Sequence, residues 1–223
     1  MKAVIIGATG LTGSHLLTQL LATEQVSSVI TLSRKRITNN HPKHTGYEVD
    51  LFNPETYNEV LQGSHLFICT GTTKAKTPDD DDYLRIEHEL PLTVAKEAKD
   101  NGFSSVIAVS ALGADPNSRF LYNRGKGLME RDIEALGFKE TYFVQPALIG
   151  GDREEARPFE RFWVKVQRVI DPLLLGPLKK YRTIEPETIA AAMIYVAIHG
   201  YRDCRIESDV LKTIAAQMNN DSQ

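Results

Sequence analysis

The sequence predicts an α/β domain in which helices cover both faces of a doubly wound parallel sheet. Short apolar runs alternate with helical patterns over roughly the first 150 residues, which is typical of parallel strands buried on both sides. The chain has 223 residues, 42% of them hydrophobic, which suits one domain with a sizeable core. We expect a single domain over 1–223, with a ligand-binding core over about 1–150 and a small C-terminal substrate-side or capping lobe over about 151–223.

Each strand is predicted from a short apolar run, and the runs cover residues 3–6, 29–32, 47–49, 65–70, 105–109 and 141–145. The helices are predicted from apolar side chains spaced three and four apart, over residues 11–21, 83–99, 121–136, 158–170 and 186–199. Beyond Gly151 the alternation fades, and Pro172, Gly176 and Pro177 interrupt the chain. The polar tail after Met218 is expected to fray.

Four aspartates at residues 79–82 form the one conspicuous charge run. Four adjacent carboxylates on a loop cannot all converge on one ion, and the cysteines and histidines have no metal-ligand spacing. We therefore expect no metal site, and a solvated loop whose acids favour the start of the following helix through its dipole.

The overall charge narrows the class of partner. A net charge of −3 and a pI near 6.1 give no case for nucleic acid or for an anionic membrane surface. The N-terminal apolar run is too short for a signal peptide, and the longest apolar run, 189–198, is too short for a membrane span. The two cysteines, Cys69 and Cys204, indicate a reducing compartment. We expect a cytoplasmic protein.

A glycine-rich loop follows the first strand and opens the first helix, at Gly7, Gly10 and Gly13. In such a loop the first glycine allows a tight turn, the second lets the backbone approach a pyrophosphate, and the third lets the helix pack on the strand. The free N–H groups of the helix then face the phosphates. The loop predicts a dinucleotide site, against the alternative of a structural turn without a ligand.

The second strand ends in Ser33-Arg34-Lys35-Arg36, where an NAD-binding site usually has an acid for the ribose. A guanidinium can bind a 2′-phosphate through two hydrogen bonds, so Ser33 and Arg34 predict NADP(H) over NAD(H). The alternative for Lys35 and Arg36 is a solvated basic loop. Asp50 follows the third strand, where it is either an adenine contact or an exposed loop acid.

Ser110 ends the fifth strand, and Tyr122 and Lys126 share one face of the next helix. A nearby ammonium favours the phenolate and lowers the pKa of a tyrosine, while a serine hydroxyl can hold a substrate carbonyl. The three groups together predict proton transfer coupled to hydride transfer by a nicotinamide. Cys69 is expected either to pack in the core or to approach the cofactor.

On these motifs the chain resembles the atypical short-chain dehydrogenases/reductases, and within them the oxidoreductase-like relatives of the Tat-interacting protein. The matching stretches are residues 7–13, 71–74, 110–115 and 120–127. The resemblance implies a Rossmann fold in which Ser110, Tyr122 and Lys126 are the catalytic triad. It further implies cofactor contacts from Thr9, Leu11, Thr12, Gly71 and Thr72, and from Tyr122 and Lys126 as well.

Two positions depart from the family pattern. Gln145-Pro146 stands where the family often has Arg-Pro, and Gly125 is expected to loosen the helix that positions Lys126. The leading hypothesis is an NADP(H)-dependent oxidoreductase acting on a small carbonyl or alcohol, or on a sugar nucleotide. The alternative is an NADPH-binding regulator or sensor with little turnover. The expected partner is a small-molecule substrate, and a homodimer stays open. An aromatic stripe could line a substrate cleft, a core or a subunit contact, and comprises Phe159, Phe162, Trp163 and Val166.

Overall fold

The computed structural model describes residues 1–147, 149–150 and 174–221. Its strands are β1 Lys2–Ile6, β2 Ser28–Ser33, β3 His44–Glu48, β4 His65–Ile68, β5 Ser105–Val109, β6 Glu140–Gln145 and β7 Arg205–Glu207. They form one sheet in the order β3-β2-β1-β4-β5-β6-β7, and every neighbouring pair is parallel.

The helices follow the strands along the chain. They are α1 Leu11–Ala22, α2 Asp80–Leu84, α3 Leu90–Asp100, α4 Leu121–Glu134, α5 Pro186–His199 and α6 Ser208–Asp221. A π-helical segment, Arg85–Glu89, joins α2 to α3, so the helix predicted over 83–99 contains a change of pitch. Short 3₁₀ turns cover Pro54–Thr56 and Gly176–Tyr181.

Alternate side chains of the central strands enter two separate cores. Ala3 and Ile5 of β1 pack with α1, α5 and α6, whereas Val4 and Ile6 pack with α3 and α4. Strands covered on both faces read as continuous apolar runs, which is why the sequence signal for β1, β4 and β5 is strong. The predicted doubly wound α/β fold is confirmed.

The C-terminal part differs from the expectation. β7 was not predicted, because it is three residues long and only Ile206 is buried, which leaves no apolar run to detect. With α5 and α6 it completes the sheet and one core, so the described part of the expected C-terminal lobe belongs to the main layers. The predicted helix 158–170 and its aromatic stripe lie outside the described residues.

The acidic run at 79–82 begins α2. The Asp79 carboxylate caps this helix by accepting hydrogen bonds from the backbone N–H groups of Asp81 and Asp82. This agrees with the prediction that the acids favour the helix start. Among the residues that the structure describes, there is no group of three or more His, Cys, Asp or Glu placed to hold a metal ion.

The carboxyl ends of all the strands meet at one edge of the sheet, because the strands are parallel. Gly7 follows β1 there, Arg34 follows β2, Cys69 follows β4 and Ser110 follows β5. The sheet grows outward in both directions from the β1–β4 pair, so connections from these strands leave a crevice at this edge. Most of the predicted site residues therefore lie along one crevice.

Candidate active site

The three glycines of the loop differ in the reason for which a glycine stands at each position. Gly7 has φ +80°, and a Cβ there would lie 2.5 Å from the Cys69 carbonyl carbon. A Cβ on Gly13 would lie 2.2 Å from the Gly7 oxygen, so α1 could not pack on this turn. Gly10 is exposed, and its added Cβ would meet protein no closer than 3.2 Å. The fold therefore requires Gly7 and Gly13, whereas Gly10 faces outward, where a ligand would approach.

The start of α1 is open to an anion. Gly10 is the N-cap residue and has no side chain that could cap the helix, and the first turn holds no acid. Thr9 beside it is exposed, Leu11 is half-buried and Thr12 is buried. The N-terminus of a twelve-residue helix carries a partial positive charge, so this cradle fits the phosphates of a dinucleotide.

At the end of β2 only one of the predicted side chains is unengaged. Arg34 is exposed, and in the described part of the chain its guanidinium makes no hydrogen bond or ion pair. The Ser33 hydroxyl is buried and donates to the Lys35 carbonyl at 2.7 Å. The Asp50 carboxylate accepts the Phe52 N–H at 3.0 Å and thereby holds its own turn. Arg34 is therefore the group best placed to receive a phosphate.

Helix α4 carries the tyrosine and lysine one turn apart, as predicted. Tyr122 is 44% exposed, whereas Lys126 is only 4% exposed. The Lys126 ammonium donates to the Val109 carbonyl at 3.1 Å and lies 2.9 Å from Glu87 Oε2. Tyr122 lies close enough to interact electrostatically with this ammonium. The result is a surface phenol beside a buried, fixed cation.

Burial and charge act in opposite directions on the lysine. Burial lowers the pKa of Lys126, but the carboxylate of Glu87 and the Tyr122 phenol raise it, and the net shift is upward. The ammonium therefore stays charged at neutral pH. Burial raises the pKa of the neighbouring Cys69 thiol to about 12, so this thiol stays protonated, as expected of a packed cysteine.

The Ser110 hydroxyl has a hydrogen-bond partner outside this pair, on the same helix. It is 1% exposed, and its hydroxyl donates a short hydrogen bond to Glu130 Oε1. The same glutamate accepts from Gln145 Nε2 at 2.8 Å and from Arg205 Nε at 2.8 Å. The hydroxyl is thus engaged within a buried polar cluster of α4, β6 and β7 rather than presented to a substrate.

The loop after β4 lies against the lysine's partner. The Thr72 N–H donates to Glu87 Oε1 at 2.5 Å, and a Cβ on Gly71 would lie 3.2 Å from the same oxygen. The hydroxyls of Thr72 and Thr77 are 2.8 Å apart, which holds the loop closed on itself. Gly71 itself is exposed at the crevice, where the family resemblance expects the nicotinamide ribose.

Two glutamates of this region were not predicted. Glu87 and Glu130 are each 1% exposed and lie in the interior of helical segments. A detectable signal exists in both cases, because each acid falls at helical spacing from buried apolar neighbours. Glu87 is four residues after Tyr83 and three before Leu90, and Glu130 is three before Ile133.

Comparison with known families supports a nucleotide-binding protein. The family described as NAD(P)H-binding matches residues 7–157. The chain is 35% identical over 166 residues to the mitochondrial protein fmp52 of Emericella nidulans, covering 71% of each chain. It is 30% identical over 216 residues to FMP52 of Meyerozyma guilliermondii, covering 93% of this chain and 90% of that one. A relation to the Tat-interacting protein stays a prediction.

Solved structures share the fold at low identity. MoeE5 in complex with UDP-glucose and NAD superposes with a TM-score of 0.68 at 15% identity, covering 99% of this chain and 82% of that chain. UDP-glucose 4-epimerase of Thermotoga maritima superposes with a TM-score of 0.69 at 13% identity, with the same coverage. These likenesses extend the fold assignment over the whole sheet.

The expected cytoplasmic location is wrong, because the curated relatives are named as mitochondrial proteins. The expectation depended on the few cysteines and on the short N-terminal apolar run, and neither feature distinguishes the cytoplasm from another reducing compartment. Within the described residues, no helix is both long and apolar enough to cross a bilayer. From the match over residues 7–157 and the fungal relatives, the chain belongs to the NAD(P)H-binding Rossmann family that includes the Fmp52 proteins.

Proposed function

We propose that the protein is an oxidoreductase that transfers hydride between NADP(H) and a small carbonyl or alcohol, or a sugar nucleotide. The observation that carries the proposal is the pair on α4, an exposed Tyr122 phenol beside a buried and charged Lys126 ammonium. A phenol next to a fixed cation can give up and regain a proton, since the cation stabilises the phenolate.

The described residues fit the cofactor at three points. The open N-terminus of α1 and the outward face of Gly10 suit the pyrophosphate. The exposed Arg34 suits a 2′-phosphate, and the fixed Lys126 suits the hydroxyls of the nicotinamide ribose. When bound, the nicotinamide supplies or accepts the hydride. Tyr122 then donates or accepts the proton at the substrate oxygen, and Lys126 holds the charge beside it.

The structural neighbours guide the choice of substrate class. MoeE5 and the Thermotoga maritima epimerase are both described with bound UDP-glucose, and this favours sugar nucleotides as the first compounds to test. The named location of the relatives favours action in mitochondria. Asp50 and Ser33 are secondary candidates for the adenosine side, because their polar groups already bind the protein.

The experiment for the reaction is Tyr122→Phe, measured as NADPH oxidation with a panel of carbonyl compounds and as NADP⁺ reduction with a panel of alcohols and UDP-sugars. We expect the variant to bind NADPH normally and to lose about 10²–10⁴ in kcat, because only the proton-transferring hydroxyl is removed. Tyr57→Phe is the matched control, since it deletes a buried hydroxyl that no described group hydrogen-bonds. A Tyr122→Phe variant with wild-type turnover refutes the mechanism.

The experiment for the cofactor compares the Kd of NADPH and NADH in wild type and in Arg34→Ala. We expect a preference for NADPH that mostly disappears in the variant, because charge-assisted hydrogen bonds contribute about 1.5–3 kcal/mol, less where salt screens an exposed site. Arg36→Ala is the control for general attraction by the basic loop. Equal wild-type affinities for the two cofactors would contradict the preference.

A regulatory role is the second candidate function, and the position of Ser110 favours it. The hydroxyl expected to orient a carbonyl is buried and donates to Glu130, so it would have to leave that bond to hold a substrate. An NADPH-binding protein with little turnover would need the glycine loop and Arg34 but not this hydroxyl. Tight NADPH binding with no oxidation across the whole panel would support the regulator over the enzyme.

A further inference from the structure

Glu87 is a buried acid whose position depends on a local change of helix pitch. It lies in the π-helical segment between α2 and α3, and only 1% of its surface is exposed. Segments of this kind are rare and occur often at functional sites, because the extra residue per turn redirects a side chain. Here Glu87 is directed toward α4 and the loop after β4.

Both of its oxygens meet parts of the proposed site. Oε2 lies 2.9 Å from the Lys126 ammonium, and Oε1 accepts the Thr72 N–H. The first contact is an ion pair rather than a well-directed hydrogen bond, since Oε2 has no partner of good hydrogen-bond geometry in the described residues. One carboxylate therefore connects the lysine to the backbone of the crevice loop.

Two glycines leave the space that this carboxylate occupies. A Cβ on Gly125 would lie 3.3 Å from Glu87 Cβ, and a Cβ on Gly71 would lie 3.2 Å from Oε1. Both distances are shorter than ordinary side-chain contacts. Gly125, which the sequence alone suggests would weaken α4, thus allows Glu87 to reach the lysine.

We propose that Glu87 is a positioning residue that fixes the Lys126 ammonium at the crevice and joins it to the Gly71–Thr72 loop. The role of Glu87 in catalysis rests on the proposed function, in which Lys126 acts beside Tyr122 in proton transfer. A buried ammonium without a counter-charge loses its proton easily, so Glu87 preserves the charge that the reaction uses.

The test is a side-chain NMR titration of Lys126 in wild type and in Glu87→Gln, with the resonance assigned by its absence in Lys126→Arg. We expect the Lys126 midpoint to fall by at least about 1 pH unit in Glu87→Gln, because desolvation is then unopposed. The backbone amide signal of Thr72 should shift in the same variant. The other titratable groups acting on this ammonium are Tyr122 and Cys69, and Tyr83 faces Glu87.

Glu130→Gln is the matched control, because it removes an equally buried carboxylate of the same helix whose described hydrogen bonds go to Ser110, Gln145 and Arg205 and not to Lys126. It should leave the Lys126 midpoint and the Thr72 signal unchanged. An unchanged midpoint in Glu87→Gln, or an equal shift in Glu130→Gln, would overturn the proposal. If Glu87→Gln fails to fold, Gly125→Ala replaces it. The added methyl group, 3.3 Å from Glu87 Cβ, should shift Glu87 and lower the midpoint. A Thr72 amide signal that shifts while the Lys126 midpoint stays unchanged would overturn the proposal.

These readouts need no substrate, so they are independent of the proposed reaction. If a substrate is found, Glu87→Gln should lower kcat more than it raises KM, because the charge beside Tyr122 acts mainly on proton transfer. If the Lys126 midpoint does not fall in Glu87→Gln, the positioning role is refuted. Absence of turnover in the wild type refutes only the reaction.

Discussion

Glu87 and Glu130 are equally buried, yet their carboxylates accept different numbers of hydrogen bonds. Glu130 accepts hydrogen bonds from Ser110, Gln145 and Arg205. Ser110 follows β5, Gln145 ends β6 and Arg205 begins β7. Glu87 accepts one backbone N–H and faces one ammonium, and its Oε2 lacks a well-directed hydrogen bond. The first environment is a satisfied network, and the second is a nearly isolated ion pair.

This difference separates what the fold requires from what a reaction would use. A buried carboxylate with three donors stabilises the packing of α4 against β6 and β7 and has little left to give a ligand. A carboxylate held by one cation beside an exposed phenol keeps that cation charged and in place for a reaction. Variants that remove one partner from each glutamate test the distinction.

The largest effect is expected for Lys126→Met, which leaves the Glu87 carboxylate buried without a cation. Removing one partner of a buried ion pair typically costs about 3–5 kcal/mol in the free energy of unfolding. Urea unfolding measures this loss. The double variant Glu87→Met/Lys126→Met should recover most of it, because no buried charge then remains. A loss below about 1 kcal/mol in the single variant would show that the pair is hydrated.

The pH dependence of the same variant gives the next effect. The pKa of Lys126 is raised in the folded protein, so its contribution to stability is fully present below the pKa of an unfolded lysine, about 10.4. The contribution is lost as the pH rises through the folded pKa. The stability difference between wild type and Lys126→Met should therefore be constant at neutral pH and should narrow above about pH 10.4. A constant difference into that range would contradict the upward shift.

A smaller loss is expected for Arg205→Met on the other glutamate. Glu130 keeps Ser110 and Gln145 as donors, and the Arg205 side chain is 40% exposed, so water can replace part of its contact. Losing this donor, together with the exposed ion pair between Arg205 Nη2 and Glu134 Oε2 at 2.7 Å, should cost about 1–3 kcal/mol in urea unfolding. Since an arginine stays charged at all accessible pH values, the stability difference between wild type and Arg205→Met should not become smaller in the alkaline range. A larger loss than in Lys126→Met would reverse the comparison.

The glycine loop, Arg34, Tyr122 and Lys126 could be selected from the sequence as site candidates, because each belongs to a local pattern of fixed spacing. It does not predict the partners that decide their chemistry. Glu87 and Lys126 are 39 residues apart in the printed sequence, and only the fold brings them together. Ser110 shows the opposite case, since a matching motif residue points into a network made by Glu130 and Arg205, which no local pattern reveals.

The smallest effect is expected for Ser110→Ala, which also decides between the enzyme and the regulator. If the hydroxyl only donates to Glu130, its loss removes one of three donors and should cost about 1 kcal/mol, with kcat changed less than tenfold. If it instead leaves Glu130 and holds a substrate carbonyl, kcat should fall by about 10² or more at the same small stability loss, as for other transition-state donors. Ser105→Ala is the control, because it deletes a buried hydroxyl to which no described group hydrogen-bonds. Ser105 begins β5, the strand that Ser110 follows. Urea unfolding and NADPH oxidation on the same three proteins separate the outcomes. A large fall in kcat would place Ser110 with Tyr122 and Lys126, and would show that its bond to Glu130 is exchanged when substrate binds.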